Sequence, residues 1–113
     1  MFYFVSQTDE FMHWFKGVDK FLYFRILAML AHMRVGFLGD ATKVGDYIYE
    51  ARIASYPNVR IYFYKEGSRI VILFASVAQI SRNADIAKAQ VISHKFQEEY
   101  DIKTKEFMKM IDA

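Results

Sequence analysis

The stretch from Tyr47 to Ala75 constrains this chain most. It reads Y-I-Y-E-A-R-I-A-S-Y-P-N-V-R-I-Y-F-Y-K-E-G-S-R-I-V-I-L-F-A. Three runs rich in β-branched and aromatic residues are separated by Y-P-N near residue 57 and K-E-G-S near residue 67, which predicts a three-stranded antiparallel meander. Alternation of side chains along a strand then assigns faces. Glu50 and Arg52 share one face of the first run, with Tyr49, Ala51 and Ile53 on the other. In the second run Arg60, Tyr62 and Tyr64 share a face, and Val59, Ile61 and Phe63 take the other. A turn centred near Tyr56 sets Arg52 opposite Arg60 and Glu50 opposite Tyr62. One side of the sheet is then apolar, and the other carries two arginines, a glutamate and two tyrosines.

The flanking segments read as helices. Thr8 is placed to cap a first helix, with Asp9 and Glu10 in its first turn, Phe11, Trp14 and Phe15 along one stripe, and Gly17 at its end. Asp19 is placed to cap a second helix that runs to about Val35, with Gly36 after it. Its apolar positions are Leu22, Phe24, Ile26, Leu27, Leu30, Ala31 and Met33. Phe2 to Val5 reads as a short strand, and Phe37 to Asp46 as a connecting loop. Beyond Ala75, Ser81 or Asn83 can cap a third helix over residues 83–99, with Ile86, Ala89, Ser93, Phe96 and Tyr100 at helical spacing. The tail, 100–113, reads as a short amphipathic helix or a frayed end. The order β-α-α-β-β-β-α predicts a single α+β domain over residues 1–113, with a core of about 2–99. Its two N-terminal helices and its C-terminal helix pack on a small antiparallel sheet, and the opposite face is left for solvent or a partner.

Composition narrows the function classes. Of the 113 residues 54% are hydrophobic and 18% aromatic, more ring surface than a domain of this size hides, which favours a partner. The formal net charge of +2 permits an anionic ligand without demanding one. There is no cysteine, so disulfide and thiolate chemistry are excluded. The histidines have no metal-ligand spacing, no carboxylate dyad, glycine-rich phosphate loop or nucleophile elbow is present, and no cofactor is expected. No run is long and apolar enough to span a bilayer, and the start has no signal-peptide pattern, so a cytoplasmic protein with no membrane partner is expected.

Several pieces, in order and at matching spacing, carry a family resemblance. They are T-D-E-F-M-H-W-F, R-I-L-A-M-L-A-H-M-R-V-G-F-L-G-D, Y-E-A-R-I, P-N-V-R-I-Y-F, I-V-I-L-F and D-I-A-K-A. Over about residues 4–95 the chain resembles the RelE/ParE superfamily of type II toxins, nearest to the phage-derived addiction module killer branch that includes HigB-like toxins. The resemblance implies a small endoribonuclease that cuts mRNA on the ribosome and is silenced by a cognate antitoxin, of helix-turn-helix type. It matches Arg52 to the arginine of the family's E-L-R-I segment and Arg60 to that of its G-Y-R-V-Y-F segment. Ser81 matches a family serine. Gln79 stands where the family has lysine and Ala78 where it has aspartate, while Ser76 and Val77 replace two glycines.

Cleavage through a 2′-hydroxyl needs a base, cationic donors for the phosphorane, and an acid for the leaving oxygen. Arginine suits the second task because its planar fork binds two phosphate oxygens at once. Arg60 and Arg52 are therefore the candidate catalytic residues. Tyr62, Tyr64, Lys65, Arg69, Gln79, Ser81 and Arg82 are the candidate RNA-binding residues, by stacking, charge or a helix N-terminus. A different class remains open: a non-catalytic or degenerate toxin on the same scaffold that still binds an antitoxin, or a ParE-like inhibitor acting by protein contact, favoured by the missing lysine and the apolar replacements at residues 76–80.

Overall fold

The structure is a computed structural model that describes residues 2–77 and 81–112. It contains β1 (Phe4–Gln7), α1 (Asp9–Lys16), α2 (Lys20–Arg34), β2 (Ala41–Gly45), β3 (Ile48–Ile53), β4 (Tyr56–Glu66), β5 (Arg69–Ser76) and α3 (Arg82–Asp112). The strands form one five-stranded sheet in the order β1-β5-β4-β3-β2. β2 to β5 are antiparallel neighbours, whereas β1 runs parallel to β5. The α+β class and the helix order match the expectation, and the short strand β2 lies within the segment expected as a loop.

Local chemistry explains the helix ends. Thr8 accepts a hydrogen bond from the Phe11 N–H and donates its hydroxyl to the Leu73 carbonyl, so the α1 cap also anchors that helix to β5. Asp19 accepts from the Leu22 N–H at the start of α2. Gly36, at a φ of 87°, supplies the left-handed turn that ends the helical hairpin. The first meander turn falls earlier than expected. Ser55 takes a φ of 72°, and Pro57, Asn58 and Val59 sit as a bulge in β4 between the Ile53–Tyr56 and Arg52–Arg60 pairs.

The sheet is covered on both sides. On one, α1 and α2 bury Phe11, Phe15, Leu22, Ile26 and Met33 against Ala51, Ile61, Phe63, Ile70 and Ile72. On the other, Ala89 and partly buried Ile86, Ile92 and Phe96 of α3 pack on Ile48, Tyr62, Tyr64, Val71, Leu73 and Phe74. β5 is therefore buried on both faces, which is why I-V-I-L-F is unbroken by polar residues. A bulge opposite the Tyr62–Phe63 step puts both Leu73 and Phe74 on the α3 side.

This corrects the expectation of an uncovered second face: small Ala89 and Ser93 let α3 approach it closely. α3 is also far longer than expected. Its 31 residues form a single helix that runs past the sheet, and the described side chains from Asp101 to Ile111 are all exposed. At 1.5 Å per residue the helix is about 46 Å long, which accounts for most of the molecule's 53 Å long axis.

Candidate nucleic-acid interface

Three arginines gather at one end of the α3-covered face, where β3, β4 and the start of α3 converge. Arg52 and Arg60 are register partners, and Glu50 is paired with Tyr62 one step further in. Arg82, the first residue of α3, reaches the same place. Its Nε donates to Glu50 Oε2 at 2.9 Å, and the Tyr62 hydroxyl donates to the same oxygen at 2.8 Å. Arg52 Nε lies 3.6 Å from Glu50 Oε1, and Arg60 Nη2 lies 3.4 Å from Asp85 Oδ2.

Burial divides these groups by task. Glu50 is almost wholly buried. Burial alone would push its carboxyl up, but the hydrogen bonds from Arg82 and Tyr62 and the charges of Arg82 and Arg52 outweigh it, so the group titrates below its ordinary range. The same contact and burial raise the Tyr62 hydroxyl well above its usual value, so it stays protonated. Glu50 is thus a fixed anion that orients cations. Arg52 and Arg82 keep 55% and 45% of their side chains exposed, while Arg60 keeps 16%. The accessible guanidiniums are therefore Arg52 and Arg82, with Arg60 set behind them against Asp85. Three arginines against two carboxylates leave the cluster net positive, and the N-terminus of α3 adds its dipole.

The remaining sequence candidates divide differently. Tyr62 and Tyr64, expected to stack on bases, have no exposed surface. Alternation put them on the correct face, but α3 covers it, and their hydroxyls bond internally to Glu50 and Glu66. Lys65 and Arg69 belong to the other end of the sheet. Lys65 lies five positions along β4 from Arg60, about 17 Å at strand rise. Its ammonium sits over Tyr3, and the Arg69 guanidinium sits over Phe96. They do not extend the arginine cluster. Ser81 occupies the N-cap position of α3, where its carbonyl accepts from the Ala84 and Asp85 N–H groups. Gln79 lies outside the described residues.

Sequence reasoning placed Glu50 on this face but gave it no part in the site. The signal was available: a carboxylate flanked by Tyr49 and Ala51 in a strand and opposite a tyrosine demands buried partners. In the sequence Asp85 reads as a helix-start residue only. Its Oδ2 accepts no hydrogen bond among the described residues, and the Arg60 guanidinium at 3.4 Å offsets its charge.

No protein-family model matches the chain, and no curated protein matches it. Solved structures do. A chain of the archaeal RelE–RelB complex from Pyrococcus horikoshii OT3 superposes with a TM-score of 0.58 at 15% identity, covering 72% of this chain and 100% of that one. The isolated E. coli RelE toxin superposes with a TM-score of 0.57 at 10% identity, covering 79% of this chain and 98% of that one. At such low identity the likeness concerns the backbone: this chain has the fold of the RelE toxins.

Proposed function

We propose that the protein is the toxin of a type II toxin–antitoxin system, of the HigB-like branch, and that it acts in the cytoplasm as a ribosome-dependent mRNA endoribonuclease. The observation that carries this reading is the cluster of Arg52, Arg60 and Arg82 on a RelE-type sheet, with two guanidiniums open to solvent. RNA would lie across the end of β3 and β4, with the scissile phosphate against Arg52 and Arg82. The 2′-hydroxyl gives its proton to a base and attacks phosphorus, the P–O5′ bond breaks as an acid protonates the leaving 5′-oxygen, a 2′,3′-cyclic phosphate results, and the guanidiniums hold the charge that grows on the equatorial oxygens. Arg60, held by Asp85, supports the field from behind. Glu50 keeps Arg52 and Arg82 side by side. Neither Glu50 nor Tyr62 serves as the proton carrier, because both are buried and bonded to each other, with Arg82 on the same carboxylate oxygen. The acid and base are then supplied by the ribosome or by the segment around Gln79. The resting partner is an antitoxin of helix-turn-helix type.

A second reading has its own support: all three arginines already face carboxylates, as in a scaffold that binds protein and not phosphate. Induced expression in cells separates the two. Growth arrest with messages cut at ribosome-bound codons, abolished by Arg52→Ala or Arg82→Ala, supports the nuclease. Arrest with intact messages supports the protein-binding alternative.

A further inference from the structure

α2 has an apolar stripe that the fold does not use. Phe21, Phe24, Ala28, Ala31 and Val35 recur at three- and four-residue intervals and are all exposed, Phe21 to 76% and Phe24 to 56%. They turn away from Leu22, Ile26, Leu30 and Met33, which face the sheet. A helix apolar on opposite sides is built to be covered twice. Its polar flanks are Lys20, Arg25, His32 and Arg34, and the helix contains no acid. An open cleft of about 510 Å³ runs beside the stripe, lined in part by Ala28, Met29, His32, Phe37 and Pro57.

α3 has the complement. Positions 89, 93 and 96 press on the sheet, and the same spacing continues through Lys103, Phe107 and Met110, so the stripe is apolar apart from one lysine. Past the sheet the stripe has nothing beneath it: Phe107, Met110 and Ile111 are exposed. At 100° per residue, Glu99 and Glu106 border this stripe on one side and Asp101 on the other, while Lys105 and Lys109 fall on the back of the helix. A stripe flanked by three acids, with the single base Lys103 within it, and an acid-free, base-flanked stripe thus occur in one chain. They lie on opposite faces of the sheet, and α3 is continuous, so they cannot meet within one molecule.

We infer that the overhanging half of α3 docks on the outer face of α2 in a second copy of the chain, and the reverse, closing a two-fold dimer. The exchange buries both stripes twice and pairs Glu99, Asp101 and Glu106 with Lys20, Arg25 and Arg34. Two seams of this kind approach the roughly 800 Å² per partner of a stable interface. The inference goes beyond the proposed function and does not depend on it.

The full chain, made by cell-free synthesis, is tested alone by sedimentation equilibrium at micromolar concentration. A species of twice 13.3 kDa is expected, and a monomer overturns the proposal. Met110→Glu and Phe24→Glu each place a charge in both seams of a dimer, and each is expected to weaken dimerisation by roughly 100-fold. Both positions are exposed, and circular dichroism checks that the variants fold. Persistence of the dimer in Met110→Glu alone would mean that α2 pairs with α2. Persistence in Phe24→Glu alone would mean that α3 pairs with α3. Either overturns the exchange. Mixing the two variants restores one intact seam, so association in the mixture but in neither variant supports it, and no association in the mixture overturns it. A wild-type monomer that binds the product of an adjacent reading frame through Phe24 would assign the α2 stripe to that partner and overturn the dimer.

Discussion

Arg52 and Arg60 stand directly opposite each other on β3 and β4, yet each guanidinium faces a different carboxylate, Glu50 at 3.6 Å and Asp85 at 3.4 Å. Like charges in opposite register repel. The two acids, one in β3 and one in α3, are what make the juxtaposition tolerable. They also separate the consequences of removing either arginine.

Arg52→Ala is expected to leave stability within about 0.5 kcal/mol, because its guanidinium is more than half exposed and Glu50 keeps its hydrogen bonds from Arg82 and Tyr62. Under the proposed function it lowers RNA cleavage by roughly 100-fold. Arg60→Ala is expected to cost about 2 kcal/mol in urea unfolding, since Asp85 keeps a buried carboxylate without its cation. Adding Asp85→Asn should restore more than half of that loss. Equal stability costs for the two alanine variants would contradict the division of tasks.

Glu50 gives the fold an acid-sensitive joint. Its carboxyl titrates lower in the folded chain than the ordinary value of 4.5. As pH falls, the unfolded chain takes up this proton first. The stabilisation is therefore complete above about 4.5 and is lost as pH drops through the folded value. Glu50→Gln should flatten the acid limb of a stability profile and lower stability at neutral pH. An unchanged acid limb would show that Glu50 is not the group responsible.

Tyr62 titrates in the opposite sense. Its hydroxyl is held protonated above its ordinary value of 10.0, so its contribution is complete below that pH and is lost as pH rises toward the folded value. Ultraviolet titration should show that Tyr62 ionises only when the chain unfolds. Tyr62→Phe should remove that step and cost about 1–2 kcal/mol, as for a buried hydrogen bond to a charged acceptor. A full complement of tyrosines ionising in the native state would refute the assignment.

The close seat of α3 depends on Ala89, which has no exposed surface. Ala89→Leu should overpack that contact and cost about 1–3 kcal/mol. Because α3 carries Arg82 and Asp85, the variant should also uncouple Glu50 and Arg60 from their partners. Chemical-shift changes in the arginine side chains would report it. A variant as stable as the wild type would show that α3 is loosely held.

How much of this could be read from residues alone follows from what each signal measures. Alternation is a local property, so the Arg52–Arg60 and Glu50–Tyr62 oppositions follow from β-strand geometry once the turn is placed. The caps at Thr8 and Asp19 are equally local. What covers a face is a distant property. Nothing in the alternation of β4 says that Ala89 and Ser93 arrive to bury Tyr62 and Tyr64. β2 escaped notice because A-T-K-V-G is short, lies between glycines and is completed only by pairing with β3. The bulge at residues 57–59 hid the true turn, since Pro57 is a stronger turn signal than Ser55. The end of α3 reads as a separate tail only because no apolar partner is encoded nearby.

The parallel pairing of β1 with β5 joins Phe4–Gln7 to Arg69–Ile72 and has a consequence for synthesis. During translation the first strand waits without its neighbour until more than sixty further residues have been made. The arginine cluster waits longer still, because Arg82 and Asp85 belong to α3, which follows all five strands. A nascent chain therefore cannot assemble this surface until the start of α3 has left the ribosome, so the strands fold first around an arginine pair that still lacks Asp85 and Arg82.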